Sequence, residues 1–188
     1  ETANHFNCHP LSILTCTTIQ DTSGVTKISN MPKDYIYECF DKLIKEFKIN
    51  VIKIGLIPSL TASKDILRIL NNKEIKNVPI IIDPIIKSGS GTKLITKNNL
   101  NYVIKNIYPK STLLTPNIYE YNIIEKLFNS DNRINNILVT NYNVKNNKII
   151  LNLKISNYSR EKIFSIKKFK KKFHGTGCTF STAIACNL

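Results

Sequence analysis

Residues 78 to 82 read Val-Pro-Ile-Ile-Ile, a short run that is almost entirely apolar and rich in β-branched side chains. A strand with one face in water alternates polar and apolar residues, and this run does not alternate. It is typical of a parallel strand that is covered on both faces. The run therefore predicts a layered α/β protein with a buried sheet.

The remaining segments alternate between strand-like and helix-like patterns. Apolar side chains recur at a helical period between Pro32 and Phe47, and the same kind of pattern predicts further helices over 63–70, 98–107 and 118–128. Strands are predicted over 11–19, 51–54, 78–82, 112–114 and 137–140, followed by a hairpin or meander over 148–166 that turns near Ser156 and Asn157. The alternation predicts a three-layer α/β/α sandwich with a mainly parallel central sheet.

The chain is strongly basic. It has 188 residues, with 27 Lys and Arg against 13 Asp and Glu, giving a formal net charge of +14. Such a field favours anionic partners, including nucleotides, phosphorylated metabolites and nucleic acid. The lysines are scattered among many Asn and Ile residues, however, and they form no basic stripe with interleaved aromatic residues. The pattern favours a drift in composition over a nucleic-acid-binding surface.

The five cysteines include no C-x-x-C pair, so the sequence indicates neither a disulfide framework nor a zinc site, and we expect a cytoplasmic protein. No signal peptide and no apolar run long enough to cross a membrane is visible. The chain begins without methionine, and both of its ends read as helical. We therefore expect it to be one domain, residues 1–188, of a longer protein.

A glycine motif, Phe-His-Gly-Thr-Gly-Cys-Thr, occupies residues 173 to 179 after the basic run from Lys167 to Lys172. Its two glycines let backbone N–H groups converge, and the residues that follow look helical. An anion is favoured at such a helix N-terminus. Cys178 would lie in the first turn, where we expect a lowered thiol pKa. The alternative interpretation is a glycine-rich turn beside a buried cysteine.

Polar residues follow several of the predicted strands, at the edge of the sheet where α/β proteins bind ligands. Asp83 follows the third strand, and Asn117 and Glu120 follow the fourth. Their oxygen atoms suit Mg²⁺, either directly or through water. The loop from Ser88 to Gly91 can bend over a phosphate or a substrate. Each residue also has a structural interpretation: Asp83 can belong to a turn, and Glu120 can stabilise the first turn of a helix.

Five segments together resemble the hydroxymethylpyrimidine and phosphomethylpyrimidine kinases of thiamine biosynthesis, which belong to the ribokinase-like superfamily. The segments occur in the order of that family and cover nearly the whole chain: Thr-Ile-Gln-Asp-Thr-Ser-Gly-Val (18–25), Lys-Ile-Gly-Leu (53–56), Asp-Pro-Ile-Ile with Ser-Gly-Ser-Gly-Thr-Lys-Leu (83–94), Thr-Pro-Asn-x-x-Glu (115–120) and His-Gly-Thr-Gly-Cys-Thr (174–179).

The resemblance implies ATP- and Mg²⁺-dependent phosphorylation of 4-amino-5-hydroxymethyl-2-methylpyrimidine and then of its monophosphate, by a cytoplasmic homodimer. Cys178 would be the base that activates the substrate hydroxyl, as a thiol in place of the aspartate of most of the superfamily. The resemblance also implies an anion hole formed by Gly175, Thr176 and Gly177, and pyrimidine binding by Gln20 and Leu56. The nucleotide and Mg²⁺ would be organised by Asp83, Asn117, Glu120 and Thr140. Of these, Asp83 and Glu120 would lie nearest the metal, with water between.

The chain departs from the family pattern at several places. It lacks the N-terminal strand with its glycine-rich segment and the elements that follow the last helix. Asn141 and Tyr142 stand where the family has glycines, and Lys87 replaces an apolar or small residue. A pyridoxal-type kinase of the same superfamily, a decayed remnant without catalytic activity and a basic nucleic-acid-binding module remain the alternatives.

Overall fold

A computed structural model describes residues 1–21, 23–127, 134–145, 148–155, 160–168, 173 and 175–188 of the chain. Its main sheet has six strands, which lie side by side in chain order. The first four pair in parallel, and the last three form an antiparallel meander. The strands are β3 (Ile52–Ile54), β4 (Ile80–Ile82), β5 (Leu113–Leu114), β6 (Asn136–Lys145), β7 (Lys148–Ile155) and β8 (Arg160–Lys167).

Helices flank this sheet, and they confirm the predicted α/β class. The helices are α1 (Thr2–His5), α2 (Tyr35–Glu46), α3 (Leu60–Leu70), α4 (Lys97–Asn106), α5 (Ile118–Leu127) and α6 (Thr176–Cys186). The sequence explains where α3 and α4 begin, because Ser59 and Thr96 accept backbone N–H bonds at their first turns. None of the helices in the described residues is long and apolar enough to span a bilayer.

The core is centred on β4, as the apolar run predicts. Ile81 and Ile82 are completely buried, and Leu114 on the adjacent strand β5 is buried as well. Both faces of these strands are covered, so alternating polar residues would have no access to water. The core continues into the helices through side chains such as Val103 of α4.

The prediction of a buried strand over Leu11 to Ile19 is wrong. Residues 11–15 are not in a strand, and among the described strands β1 (Cys16–Gln20) pairs only with β2 (Val25–Asn30), in a separate two-stranded hairpin. Ile19 is 62% exposed. A β-branched run fits a hairpin as well as a core strand, and sequence periodicity alone does not distinguish the two.

The turn between β1 and β2 agrees with the prediction from its residue types. The Asp21 carboxylate accepts hydrogen bonds from the N–H of Ser23 at 2.8 Å and from the N–H of Gly24 at 3.0 Å. This aspartate turn fixes the hairpin locally. Thr22, His174 and residues 128, 156–159 and 169–172, which belong to the motifs and elements predicted above, lie outside the described residues.

Candidate active site

The parallel strands β3, β4 and β5 deliver their carboxyl ends to one edge of the sheet, and Asp83 lies at its centre. Asp83 directly follows β4, and its N–H donates to the carbonyl of Ile54 at the end of β3, at 2.9 Å. The residue is 6% exposed. Its place in the fold agrees with the prediction that a carboxylate follows this strand.

Three side chains surround the Asp83 carboxylate. The ammonium of Lys53 lies 3.8 Å from Oδ2, the Ser181 hydroxyl donates to Oδ2 at 3.3 Å, and the Cys178 thiol is within hydrogen-bonding reach. Burial raises the pKa of Asp83, while the charge of Lys53 and the two hydrogen bonds oppose that shift. The neighbours of Asp83 therefore do not fully offset the cost of burying its ionised carboxylate.

Cys178 lies in the first turn of α6, as predicted, and its side chain keeps contact with solvent. The expectation of a lowered thiol pKa is wrong. Desolvation of the thiol and the negative charge of Asp83 raise the pKa of Cys178, and the charge of Lys53 only partly offsets them. Desolvation and, after it, the nearby carboxylate therefore outweigh the effect expected of a helix N-terminus.

The start of α6 has an exposed glycine-rich backbone. Gly175 is the N-cap with a φ of +76°, and its carbonyl accepts a hydrogen bond from the N–H of Thr179 at 2.9 Å. Among the described residues, a Cβ placed on Gly175 or Gly177 would meet no heavy atom within 4 Å. These glycines are therefore not required by tight packing. The absence of their side chains leaves the backbone N–H groups open to an approaching anion.

Gly175→Ala and Gly177→Ala are expected to differ in stability. Alanine at position 175 would have to adopt the left-handed conformation, which costs about 1–2 kcal/mol, whereas position 177 has no such φ. We expect Gly175→Ala to lower the free energy of unfolding by about that amount, and Gly177→Ala, inside α6, to raise it by up to about 1 kcal/mol. Urea unfolding of both variants measures the difference, and equal stabilities would contradict the left-handed N-cap.

Asn117 and Glu120 form a reciprocal cap at the start of α5. The N–H of Glu120 donates to Oδ1 of Asn117, and the N–H of Asn117 donates to Oε2 of Glu120, both at 3.0 Å. The other carboxylate oxygen of Glu120 accepts the N–H of Ile86 at 3.3 Å. Glu120 thus joins the loop after β4 to the helix after β5.

Glu120 is buried, and its pKa is raised to about 7 by burial and, to a smaller extent, by the charge of Asp83, against the hydrogen bond from Asn117. Between pH 4.5 and about 7 the folded state therefore binds more protons than the unfolded state, so stability falls as the pH rises. We expect Glu120→Gln to weaken this decline, as measured by chemical unfolding at about pH 5 and about pH 7.5, which together span most of this range. An unchanged pH dependence would contradict the raised pKa.

The donors fit a Mg²⁺ ion that arrives with phosphate groups better than a resident metal. Among the described residues there is no group of three or more His, Cys, Asp and Glu side chains that could hold a metal ion. Mg²⁺ is usually bound through one or two carboxylates together with water and substrate phosphates. Asp83 and Glu120 supply such a pair, and their mutual repulsion is a cost that a cation would relieve.

Thr140 lies beside Asn117 at the same edge of the sheet, and its role in nucleotide binding stays a prediction. Its N–H donates to the carbonyl of Pro116 at 2.7 Å, and it forms a parallel bridge with Asn117. The next residue, Asn141, has a φ of +51°. Asparagine tolerates the left-handed conformation better than most residues, so the chain keeps a glycine-like backbone here without glycine.

Gln20 and Leu56 make no described hydrogen bond with the side chains of the cluster around Asp83. Gln20 is exposed at the end of β1, and among the described contacts none joins it to Asp83 or Cys178. Leu56 is half-buried after β3, and its carbonyl accepts the Thr15 hydroxyl at 2.8 Å. This bond ties the segment before the hairpin to the edge of the sheet. Substrate binding by Gln20 and Leu56 stays a prediction.

Two residues of this cluster were missed in the sequence. Lys53 is a charged residue inside the short apolar segment from Val51 to Ile54. A charged side chain in an otherwise apolar strand is the sequence feature that indicates a functional role for it. Ser181 lies one turn after Cys178 on α6 and is completely buried. Its only signal was a spacing of three residues, which places both side chains on the same helix face.

A model of the family described as phosphomethylpyrimidine kinase matches residues 1–188. The chain is 28% identical over 217 residues to a hydroxymethylpyrimidine/phosphomethylpyrimidine kinase of Saccharomyces cerevisiae, covering 100% of this chain and 38% of that protein. It is 25% identical over 202 residues to the kinase of the same description from Aquifex aeolicus, covering 99% of this chain and 77% of that protein.

Solved structures share the fold. Phosphomethylpyrimidine kinase from Clostridium difficile superposes with a TM-score of 0.76 at 21% identity, covering 99% of this chain and 80% of that chain. An ADP complex of Bacillus subtilis pyridoxal kinase gives a TM-score of 0.80 at 17% identity, covering 99% of this chain and 74% of that chain. These similarities identify a ribokinase-like fold.

Proposed function

Because the chain belongs to the phosphomethylpyrimidine kinase family, we propose that the complete protein phosphorylates 4-amino-5-hydroxymethyl-2-methylpyrimidine and then its monophosphate, using ATP. The observation that carries the proposal is the cluster of Cys178, Asp83 and Lys53 next to the exposed glycines of α6. Phosphoryl transfer requires a positioned hydroxyl, a proton acceptor and neutralised negative charge, and this cluster supplies groups for each requirement.

Cys178 is the proposed proton acceptor for the substrate hydroxyl. The raised pKa of its thiol makes the thiolate a stronger base, although less of it is ionised at neutral pH. Lys53 is the described cation that favours the thiolate. Asp83 accepts a hydrogen bond from the protonated thiol and opposes its ionisation, so the thiol must release its proton before the thiolate can accept one from the substrate hydroxyl.

The remaining roles concern the phosphates and the ring. Gly175, Thr176 and Gly177 are proposed to bind the transferring phosphoryl group through backbone N–H groups. Mg²⁺, when bound with ATP, would neutralise phosphate charge near Asp83 and Glu120. Asn117 and Thr140 are assigned to the nucleotide, and Gln20 and Leu56 to the edge and the face of the pyrimidine.

Isothermal titration of the pyrimidine alcohol into the complete protein, with and without Mg-ATP, tests this function. We expect binding in both cases and continuing heat from turnover only when Mg-ATP is present. Absence of binding in both conditions would contradict the proposal. A higher kcat/KM for pyridoxal than for the pyrimidine would instead assign a pyridoxal-type kinase.

We also propose a homodimer in the cytoplasm. The hairpin and the segment before it expose apolar side chains, including Leu14 at 54% and Ile19 at 62% exposure. Exposed apolar groups in neighbouring segments are suited to contact with a second copy. Light scattering after size-exclusion chromatography measures the mass, and a monomer at all concentrations would contradict this assembly.

A further inference from the structure

Two lysines stand opposite each other at the base of the loop that follows β4. Lys87 and Lys93 form an isolated antiparallel bridge, and the five residues between them are Ser-Gly-Ser-Gly-Thr. The N–H of Ser88 donates to the carbonyl of Thr92 at 2.8 Å, and Gly91 adopts a φ of +94°. We call residues 87–93 the lysine loop.

The hydrogen bonds on either side of the bridge fix the direction of the two side chains. The N–H of Leu94 donates to the carbonyl of Ile86 at 3.0 Å, and the N–H of Ser88 donates to the carbonyl of Thr92. This pattern makes Lys87 and Lys93 a non-hydrogen-bonded pair, in which side chains leave the same face at their closest spacing. Both side chains are exposed.

The charges of this pair are not neutralised within the described part of the chain. No described carboxylate lies within salt-bridge distance of either lysine. Like charges on directly opposite residues destabilise a bridge. The Lys87 ammonium lies 4.6 Å from the centre of the Tyr119 ring, which holds it in place without removing its charge. Such a pair favours an anion between the two ammonium groups.

The lysine loop lies at the proposed active site. The N–H of Ile86, directly before Lys87, donates to Glu120, and Tyr119 directly precedes Glu120 in the chain. On its other side the loop reaches the hairpin turn, since a Cβ on Gly24 would come within 2.9 Å of the Ser90 hydroxyl. The loop therefore lies between the carboxylates of the sheet edge and the hairpin that carries Gln20.

We propose that Lys87 and Lys93 together bind a phosphate group of a reactant in this site. The inference rests on the proposed function and extends it to residues that determine affinity. The phosphate is either the one already present on the monophosphate substrate or a phosphate of the nucleotide. Both have the same chemistry, a multiply charged oxyanion that accepts hydrogen bonds from two ammonium groups.

The test compares two double variants of the complete protein. Lys87→Met with Lys93→Met removes the pair, and Lys76→Met with Lys110→Met removes the same charge from positions that precede β4 and β5, at the opposite edge of the sheet. We measure KM for the pyrimidine alcohol, for its monophosphate and for ATP. The dissociation constants of AMP-PCP and of inorganic pyrophosphate are measured by calorimetry.

We expect the first double variant to raise the KM for the phosphate-bearing reactant about tenfold or more, because two charge-assisted contacts are lost. A rise for the monophosphate alone assigns the substrate phosphate. A rise for ATP with either substrate, together with weaker AMP-PCP binding, assigns the nucleotide. Arginine at both positions is expected to preserve most of the affinity.

KM values and dissociation constants equal to those of the control double variant would overturn the proposal. The proposed function fails separately, if the wild-type protein phosphorylates neither pyrimidine. In that case the calorimetric comparison still decides the inference: weaker AMP-PCP or pyrophosphate binding by the Lys87 and Lys93 variant supports the anion site, and unchanged binding of both overturns it.

Discussion

Cys178→Ala in the complete protein is expected to lower kcat by about a hundredfold to ten-thousandfold, the usual contribution of a positioned general base. The folded structure should remain, because the Cys178 side chain is exposed and its removal leaves no cavity in the core. Steady-state kinetics and urea unfolding measure the two effects on the same preparation.

The pH profile separates a base from a structural cysteine. Since the pKa of Cys178 is raised above its ordinary value of 9.0, kcat/KM should still rise with pH in the alkaline range in the wild type. Cys178→Asp, which is ionised at neutral pH, should lose that rise. Cys39→Ala, at a half-buried thiol on α2, is the control and should retain turnover. Full turnover by Cys178→Ala would remove the assignment.

Asp83→Asn is expected to lower kcat/KM by about a hundredfold to a thousandfold, as when a preorganised electrostatic group is removed. Its stability should not fall. Burial raises the pKa of Asp83, so the ionised carboxylate is disfavoured in the fold, and a neutral amide of the same shape removes that cost. Lys53 loses its partner, but its side chain is 22% exposed and can still reach water.

Asp41→Asn is the matched control, because Asp41 also pairs with a lysine, at 2.6 Å from Lys45 on the surface of α2. An exposed pair of this kind contributes about 0.3–0.5 kcal/mol, and its loss should not affect turnover. Thermal unfolding and kinetics of both variants give the comparison. If Asp83→Asn proves much less stable than Asp41→Asn, Asp83 is holding the fold rather than serving the chemistry.

The sequence predicts the parallel part of the sheet and the carboxylates at its edge well, because both depend on local patterns. An apolar run such as 78–82 is stable as a strand only when both of its faces are buried. A polar residue directly after such a run must therefore lie at the end of the strand. The position of Asp83 follows in this way. The capping pattern of Asn117 and Glu120 is local too, since three residues separate them.

What the sequence could not predict depends on residues that are far apart along the chain. The pKa of Cys178 is set largely by burial of the thiol and by Asp83, which lies far earlier in the sequence. The direction of its shift therefore cannot be predicted from the helix N-terminus alone. Lys53 gains its role only because β3 lies next to β4. The hairpin was misassigned because its β-branched residues fit an exposed ladder as well as a core strand.

The order of the main sheet affects how the protein is made. Each strand from β4 to β8 pairs with the one synthesised just before it, so the sheet can grow on the ribosome without inserting a strand between two others. Helix α6 then returns to pack on β3 and β4, which precede it in the chain by about a hundred residues. Cys178 and its glycines are therefore synthesised after these strands, and a nascent chain contains Asp83 and Lys53 well before it has a thiol to position.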